Sequence, residues 1–167
     1  MSTDVQKGVV VKAEESRYSS GGPLPAAHKL EGAQTGGAAF VITGSLEPKR
    51  LIPPHTHTYE DEVTYIVEGE LTVEIGDQVL KAPAGSVVWK PRGVRHAMWN
   101  AGDEPLRYFE VVTPAGLEGF FVKIDKAMSS GIVSREDVPA IGKEFGLEFD
   151  LAHTGELIAQ YKLLPPI

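Results

Sequence analysis

The chain has 167 residues, 42% of them hydrophobic and 23% charged, which is the composition of one globular domain with a sizeable core. Its 23 acidic and 16 basic side chains leave a net charge of −7 with no Lys/Arg cluster, which argues against a nucleic-acid partner. There is no cysteine, so disulfides and thiolate chemistry are excluded and any metal must be held by His, Asp or Glu.

The opening MSTDVQKGVVVK has neither a basic leader region nor a long apolar one, and no apolar run approaches the ~20 residues of a membrane span. The expectation is a cytoplasmic protein with no membrane partner. GVVVK at 8–12 predicts a short first strand. Residues 1–37 read as an N-terminal arm, irregular from Glu14 to Gly37, where Gly, Ser, Pro and Ala dominate.

Residues 38–114 predict the core of the domain. AAFVITGSL, RLIPPHTH, EVTYIVE, LTVEI, QVLKA, SVVWK, VRHAMW and LRYFEVVT are strand-like runs separated by Gly, Pro, Asn and Asp turns. That rhythm is the signature of a mainly β sandwich or barrel. SVVW and YIV are apolar on both faces, which suits a closed barrel with a lined interior. Trp89, Trp99, Phe40 and Phe109 are assigned to barrel packing, and Met98 to core filling. Residues 115–167 predict a C-terminal helical extension packed on the same domain. Leu117, Phe120, Phe121 and Ile124 mark an amphipathic helix ending at Gly131. Ser134 and Asp137 resemble the start of a second helix, with Gly146 as its stop. GELIAQYKLL suits strand or helix equally.

Chemistry concentrates between Pro53 and Gly69. His55 and His57 are two apart, so on a strand both imidazoles leave one face. Glu60, Asp61 and Glu62 follow, and two histidines with a carboxylate from the next strand are a natural way to hold a transition metal. A second group, His96, Met98 and Asn100, shares one face of a later strand. His28 and His153 lie outside both groups and are expected to be solvated, as are Glu60 and Asp61.

The spacing of these residues is H-x-H-x4-E-x6-G over His55, His57, Glu62 and Gly69, then G-x5-P-x-G-x2-H-x3-N over Gly85, Pro91, Gly93, His96 and Asn100. In both stretches the sequence resembles the two signature motifs of the cupin superfamily. Within the acidic run, the x6 count to Gly69 selects Glu62. One departure lies upstream, where Lys49 stands at a position often occupied by glycine in the family.

The resemblance implies a double-stranded β-helix, or jelly-roll cupin barrel, with short C-terminal helices. It also implies one divalent transition metal ion per chain, held by His55, His57, Glu62 and His96. That donor set suits Fe, Mn, Ni, Co, Cu or Zn. TPAG at 113–116 followed by LEGFF is similar to small quercetin (flavonol) dioxygenases, which implies a dioxygenase with a flavonol-like, enolisable substrate and Glu62 as ligand and general base. Two alternatives stand beside it: a non-redox isomerase, lyase or cyclase, and a module that binds a small molecule without turnover. The arm and the open sheet edges predict a homodimer.

Overall fold

The computed structural model describes residues 7–16, 18–19, 26–131 and 135–166. Two antiparallel sheets face each other. The first contains β1 (Tyr18–Ser19), β2 (Ala26–Leu30), β3 (Phe40–Leu46), β5 (Asp61–Glu68), β8 (Val87–Lys90) and β10 (Leu106–Thr113), in the order β1-β2-β3-β10-β5-β8. The second contains β4 (Leu51–His57), β6 (Glu70–Ile75), β7 (Gln78–Pro83), β9 (His96–Trp99) and β11 (Leu147–Phe149), in the order β11-β4-β9-β6-β7. This is a mainly β double-stranded β-helix with short C-terminal helices, the predicted fold.

All eight strands expected between residues 38 and 114 form within a residue or two of their expected ends. The turn residues account for that agreement, because they end each strand whatever packs on it. Gly93, at φ 75°, supplies a left-handed turn before the His96 strand, and its N–H bonds the His57 carbonyl at 2.8 Å. Lys49 adopts φ 64° where the family often has glycine, and its ammonium is held by the Ala101 carbonyl at 2.6 Å. The turn is therefore kept with a residue that resists it.

Three expectations about the flanks need correction. Residues 8–12 form no strand, and Val9 and Val10 lie exposed. An isolated apolar run has no neighbour to pair with there. The arm is also not wholly irregular, since Ala26–Leu30 pairs with β3 and α1 (Gly32–Thr35) follows. His28 on that strand is fully buried, with its ring 4.7 Å from Phe40 and 5.6 Å from Phe121, and Nδ1 3.0 Å from Glu31 Oε1. It is a packing residue, not a solvated one.

The C-terminal extension closes one end of the barrel. α2 (Glu118–Ser129) buries Phe120 and Ile124, as its spacing predicts. A 3₁₀ turn (Arg135–Asp137) leads into α3 (Val138–Lys143), while Ser134 lies outside the described residues. α2 and α3 pack with β2, β3 and β11 into one cluster of buried side chains. The ambiguous tail resolves as β11 followed by α4 (Leu151–Tyr161), whose Leu157 packs with Leu163 against Leu51, Ala97 and Trp99 on the outer face of the five-stranded sheet. His153, on α4, is only partly exposed: Nε2 lies 2.7 Å from Glu74 and Nδ1 2.7 Å from Glu156. The expected solvated histidine instead pins α4 to β6.

Among the four aromatics assigned to barrel packing, Phe40 and Trp99 are fully buried. Trp89 and Phe109 are 62% and 37% exposed, on the outward face of the six-stranded sheet. Inward parity on β8 and β10 belongs instead to Val88, Lys90, Tyr108 and Glu110.

Candidate metal centre

The two histidines of β4 face inward because Pro53 and Pro54, which cannot donate to a ladder, sit where the β4–β9 register slips between Ile52 and His55. Beyond that irregularity His55 pairs with His96. Glu62 reaches the same point from β5 in the facing sheet. His55, His57, Glu62 and His96 are all buried, and one ligand atom from each lies within 4.8 Å of the others.

Each imidazole is turned the same way. Nδ1 of His55 is 2.7 Å from the Pro53 carbonyl, Nδ1 of His96 is 3.2 Å from the Val94 carbonyl, and Nδ1 of His57 is 3.3 Å from Glu60 Oε2. An acceptor on Nδ1 fixes the proton there and aims the Nε2 lone pair at the centre, which is how metal-binding histidines are oriented. At the centre, His55 Nε2 and His57 Nε2 are 3.1 Å apart, and His96 Nε2 is 3.1 Å from Glu62 Oε2. Buried His96 Nε2 has no hydrogen-bond partner among the described residues. Buried polar atoms converging without partners are the pattern a cation resolves. Three imidazole nitrogens and one carboxylate fit a divalent transition metal, and not calcium or magnesium, which take oxygen shells.

Protonation follows the same geometry. Burial, then the neighbouring His96 and His57, push His55 well below the usual imidazole value, so it is neutral. Burial also disfavours a charge on His57, but the carboxylates of Glu60 and Glu62 outweigh it and raise that residue to about 9, so a metal ion bound there would displace a proton from its Nε2. Burial would raise Glu62, yet Lys90, with His57 and His96 close beside it, holds it well below the carboxylate range. The acidic run thus divides into three tasks. Glu62 is in the cluster, and Glu60 is buried behind His57. Asp61 is held at about 2 by the Arg92 side chain and backbone N–H. Glu60 is thus not the solvated residue expected of an acidic loop, whereas Asp61 stays at the surface in an exposed pair with Arg92.

One functional neighbour has no counterpart in either motif. Lys90 is buried, with Nζ 2.6 Å from Glu62 Oε2 and 2.7 Å from Glu110 Oε2. Burial opposes its charge, but Glu110 and Glu62 outweigh that and raise its pKa. The Thr64 hydroxyl donates to the same Glu110 oxygen at 2.6 Å. Tyr108 completes the group, its phenol kept protonated by burial and by the Glu110 charge. The ring lies over Gly44, where a Cβ would come within 2.4 Å of it. A parity argument was the available signal: Lys90 pairs directly with Glu62 across the β5–β8 ladder, so both leave the same face.

These groups line a cavity of about 50 Å³. His55, His57, Glu62, Lys90 and Glu110 form its polar wall, with Met98 and Tyr108. Opposite stand Leu117, Phe120 and Phe121 of α2 with Leu147 and Phe149 of β11. Met98 is therefore core filling and cavity wall at once. The chemistry available is that of a buried cation site under an apolar cap.

A double-stranded β-helix with three histidines and a glutamate converging inside it defines a class: a small β-barrel protein whose interior side chains could hold a metal ion. Residues 43–112, which span β4 to β9 and most of β3 and β10, match the family described as Cupin domain. A solved protein from Klebsiella pneumoniae, described as an uncharacterized conserved protein with a double-stranded beta-helix domain, has the same fold. It superposes with a TM-score of 0.55 at 22% identity, covering 66% of this chain and 93% of that one. The polyketide synthase CurC of Streptomyces cyaneus is 31% identical over 77 residues, 46% of this chain and 50% of that protein. The tetracenomycin polyketide synthase protein TcmJ of Streptomyces glaucescens is 28% identical over 80 residues, 47% of this chain and 54% of that protein. The chain thus spans about half the length of the curated relatives it matches. Among the described residues no helix is long and apolar enough to cross a membrane.

Proposed function

We propose that this chain is a metal-dependent enzyme acting on a small hydroxylated or enolisable organic substrate. The observation that carries the reading is the four-donor cluster, three of whose residues (His55, His57 and Glu62) line a cavity whose opposite wall is apolar. His55, His57, Glu62 and His96 would hold one divalent transition metal ion. Such an ion supplies Lewis acidity toward a substrate oxygen and, in its redox-active forms, a route to dioxygen.

The protein's own groups divide the remaining work. Phe121, Phe149 and Leu117 exclude water from the cavity and receive the hydrocarbon part of the substrate. Lys90 places a fixed positive charge in the lining, favourable to an enolate or carboxylate oxygen. The protonated Tyr108 phenol offers a hydrogen-bond donor on the same side. Glu62 is paired to Lys90 at 2.6 Å and held ionised, which suits a ligand better than a proton acceptor tuned near neutral pH. Drug-sized ligands take ~300–1,000 Å³. A cavity of about 50 Å³ therefore admits a substrate of flavonol size only with the C-terminal cap displaced.

Two reactions fit this class. Dioxygenation of a flavonol-like substrate uses the oxygen route, with Glu62 as both ligand and base. Non-redox isomerisation, elimination or cyclisation uses Lewis acidity alone. It is favoured by the anchoring of Glu62 on Lys90 and by the similarity to two polyketide synthase proteins, whose name implies enolisable polycarbonyl chemistry. The test is turnover of 1,3-dicarbonyl compounds and flavonols by metal-loaded protein, with and without oxygen. Product under argon supports the non-redox reaction, and product only with stoichiometric oxygen uptake supports dioxygenation. Saturable binding without product in either atmosphere would overturn the enzyme reading in favour of a binding module.

A further inference from the structure

Among the described residues, the titratable side chains that line the cavity are His55, His57, Glu62, Lys90, Tyr108 and Glu110. The two imidazoles and Glu62 are turned onto the four-donor cluster, and Nδ1 of each imidazole is occupied from behind. Lys90 offers no lone pair, because its ammonium is held by Glu62 Oε2 and Glu110 Oε2. Burial and the Glu110 charge keep the Tyr108 phenol protonated. Glu110 remains. Its Oε2 accepts from the Thr64 hydroxyl at 2.6 Å and from Lys90 at 2.7 Å. No described residue donates to its Oε1, although the side chain is buried and lines the cavity. A buried carboxylate oxygen without a donor is a place where a ligand's proton is received.

We infer that Glu110 Oε1 is the proton acceptor of this site, removing a proton from the carbon beside the carbonyl of a bound ketone. The inference rests on the enzyme reading above and supplies the base that reading lacks, since Glu62 is anchored as a ligand. In the step, the C–H bond breaks and its proton joins Oε1. The electron pair of that bond passes into the carbonyl and leaves an enolate oxygen on the substrate. Return of the proton from Oε1 to carbon restores Glu110, so no oxidant or other reactant is consumed. The charge balance favours the step. One ammonium is shared by two carboxylates, and the charge lost from Glu110 reappears on the substrate against the same lining that holds Lys90. The net charge of the cavity is therefore unchanged. Thr64 is the positioning residue, holding Oε2 so that Oε1 is the oxygen presented. The apolar wall formed by α2 and β11 keeps water from competing as the proton donor.

The test is hydrogen exchange at the carbons of hydroxyacetone, a small hydroxylated ketone, in heavy water under argon. It is followed by NMR with the full chain loaded with zinc. Wild type should exchange these hydrogens faster than buffer with zinc alone. Glu110→Gln should slow the exchange by ~100-fold or more, while affinity for the ketone stays within ~3-fold. Formate added to Glu110→Ala should restore part of the rate, a response that a purely structural role for Glu110 would not produce. If Glu110→Gln does not fold, Glu110→Ala and its formate response carry the test. Exchange at the wild-type rate in either folded variant, or a rate that falls only as far as ketone affinity does, would overturn the assignment and leave the enzyme reading standing. A wild type that binds the ketone without exchanging it would overturn both.

Discussion

The two sheets meet at one site with different chemistry. The five-stranded sheet contributes three imidazoles, each oriented from behind by an acceptor within 3.3 Å of Nδ1, a set that could hold a cation. The six-stranded sheet contributes Glu62, Lys90, Glu110, Thr64 and Tyr108, a network in which one ammonium is shared by two carboxylates. Glu62 belongs to both. The difference separates two kinds of dependence: the histidine side should govern metal affinity, and the lysine side should govern stability.

Breaking the lysine side gives the larger stability effect. Lys90→Met leaves Glu110 and Glu62 buried without their cation, and losing one partner of a buried pair costs ~3–5 kcal/mol. Urea unfolding measures it, and Lys90→Met combined with Glu110→Gln should recover a large part of the loss. Metal affinity should change little in the single variant, because Glu62 remains and no longer shares its oxygen with an ammonium.

The reverse pattern is expected from Glu60→Gln. It removes the carboxylate behind His57 Nδ1 and should weaken metal binding by ~10–100-fold, read by competition with a chelating dye, with only a small change in unfolding midpoint. If Lys90→Met lost metal and Glu60→Gln lost only stability, the division between the sheets would be wrong.

A smaller effect concerns the outer side of the five-stranded sheet. Glu156 raises the His153 pKa above 6.5; burial opposes the shift, and Glu74 adds to it. Its ion pairs therefore stabilise the docked α4 fully below pH ~6.5, and the contribution fades as pH rises through the higher folded value. Asp150, lowered by the His153 backbone N–H and by Arg95, works in the other direction and loses its contribution as pH falls below the carboxylate range. His153→Gln should lower the thermal midpoint relative to wild type near pH 5.5, by no more than the ~1 kcal/mol of a partly exposed pair. That gap should close as pH rises through the raised folded value.

What the sequence reveals of the site follows the same division. His55, His57, Glu62 and His96 are legible because their spacing falls within two short segments, and strand parity puts each set on one face. Lys90, Thr64 and Glu110 lie on three separate strands, with Thr64 and Glu110 46 residues apart, and a lysine reads as solvated until the β5–β8 register is known. Glu60 hides for a different reason, since a carboxylate in a turn looks solvent-facing and only the fold turns it onto His57. In the barrel the strands are legible because Gly, Pro, Asn and Asp end them locally. The β2 strand and α4 are less so, because each is defined by the sheet it packs on. Trp89 and Phe109 show the limit of composition: aromatic content suggests a core, whereas parity with Lys90 and Glu110 puts both outside.

The central proposal, that this barrel is built around a metal ion, is tested most directly by elemental analysis of the purified protein beside His96→Ala. The predicted result is one divalent transition-metal ion per wild-type chain and ~100-fold weaker retention, effectively none, in the variant, with circular dichroism unchanged. A wild type that holds no more metal than His96→Ala, after exposure to each candidate ion, would contradict the account.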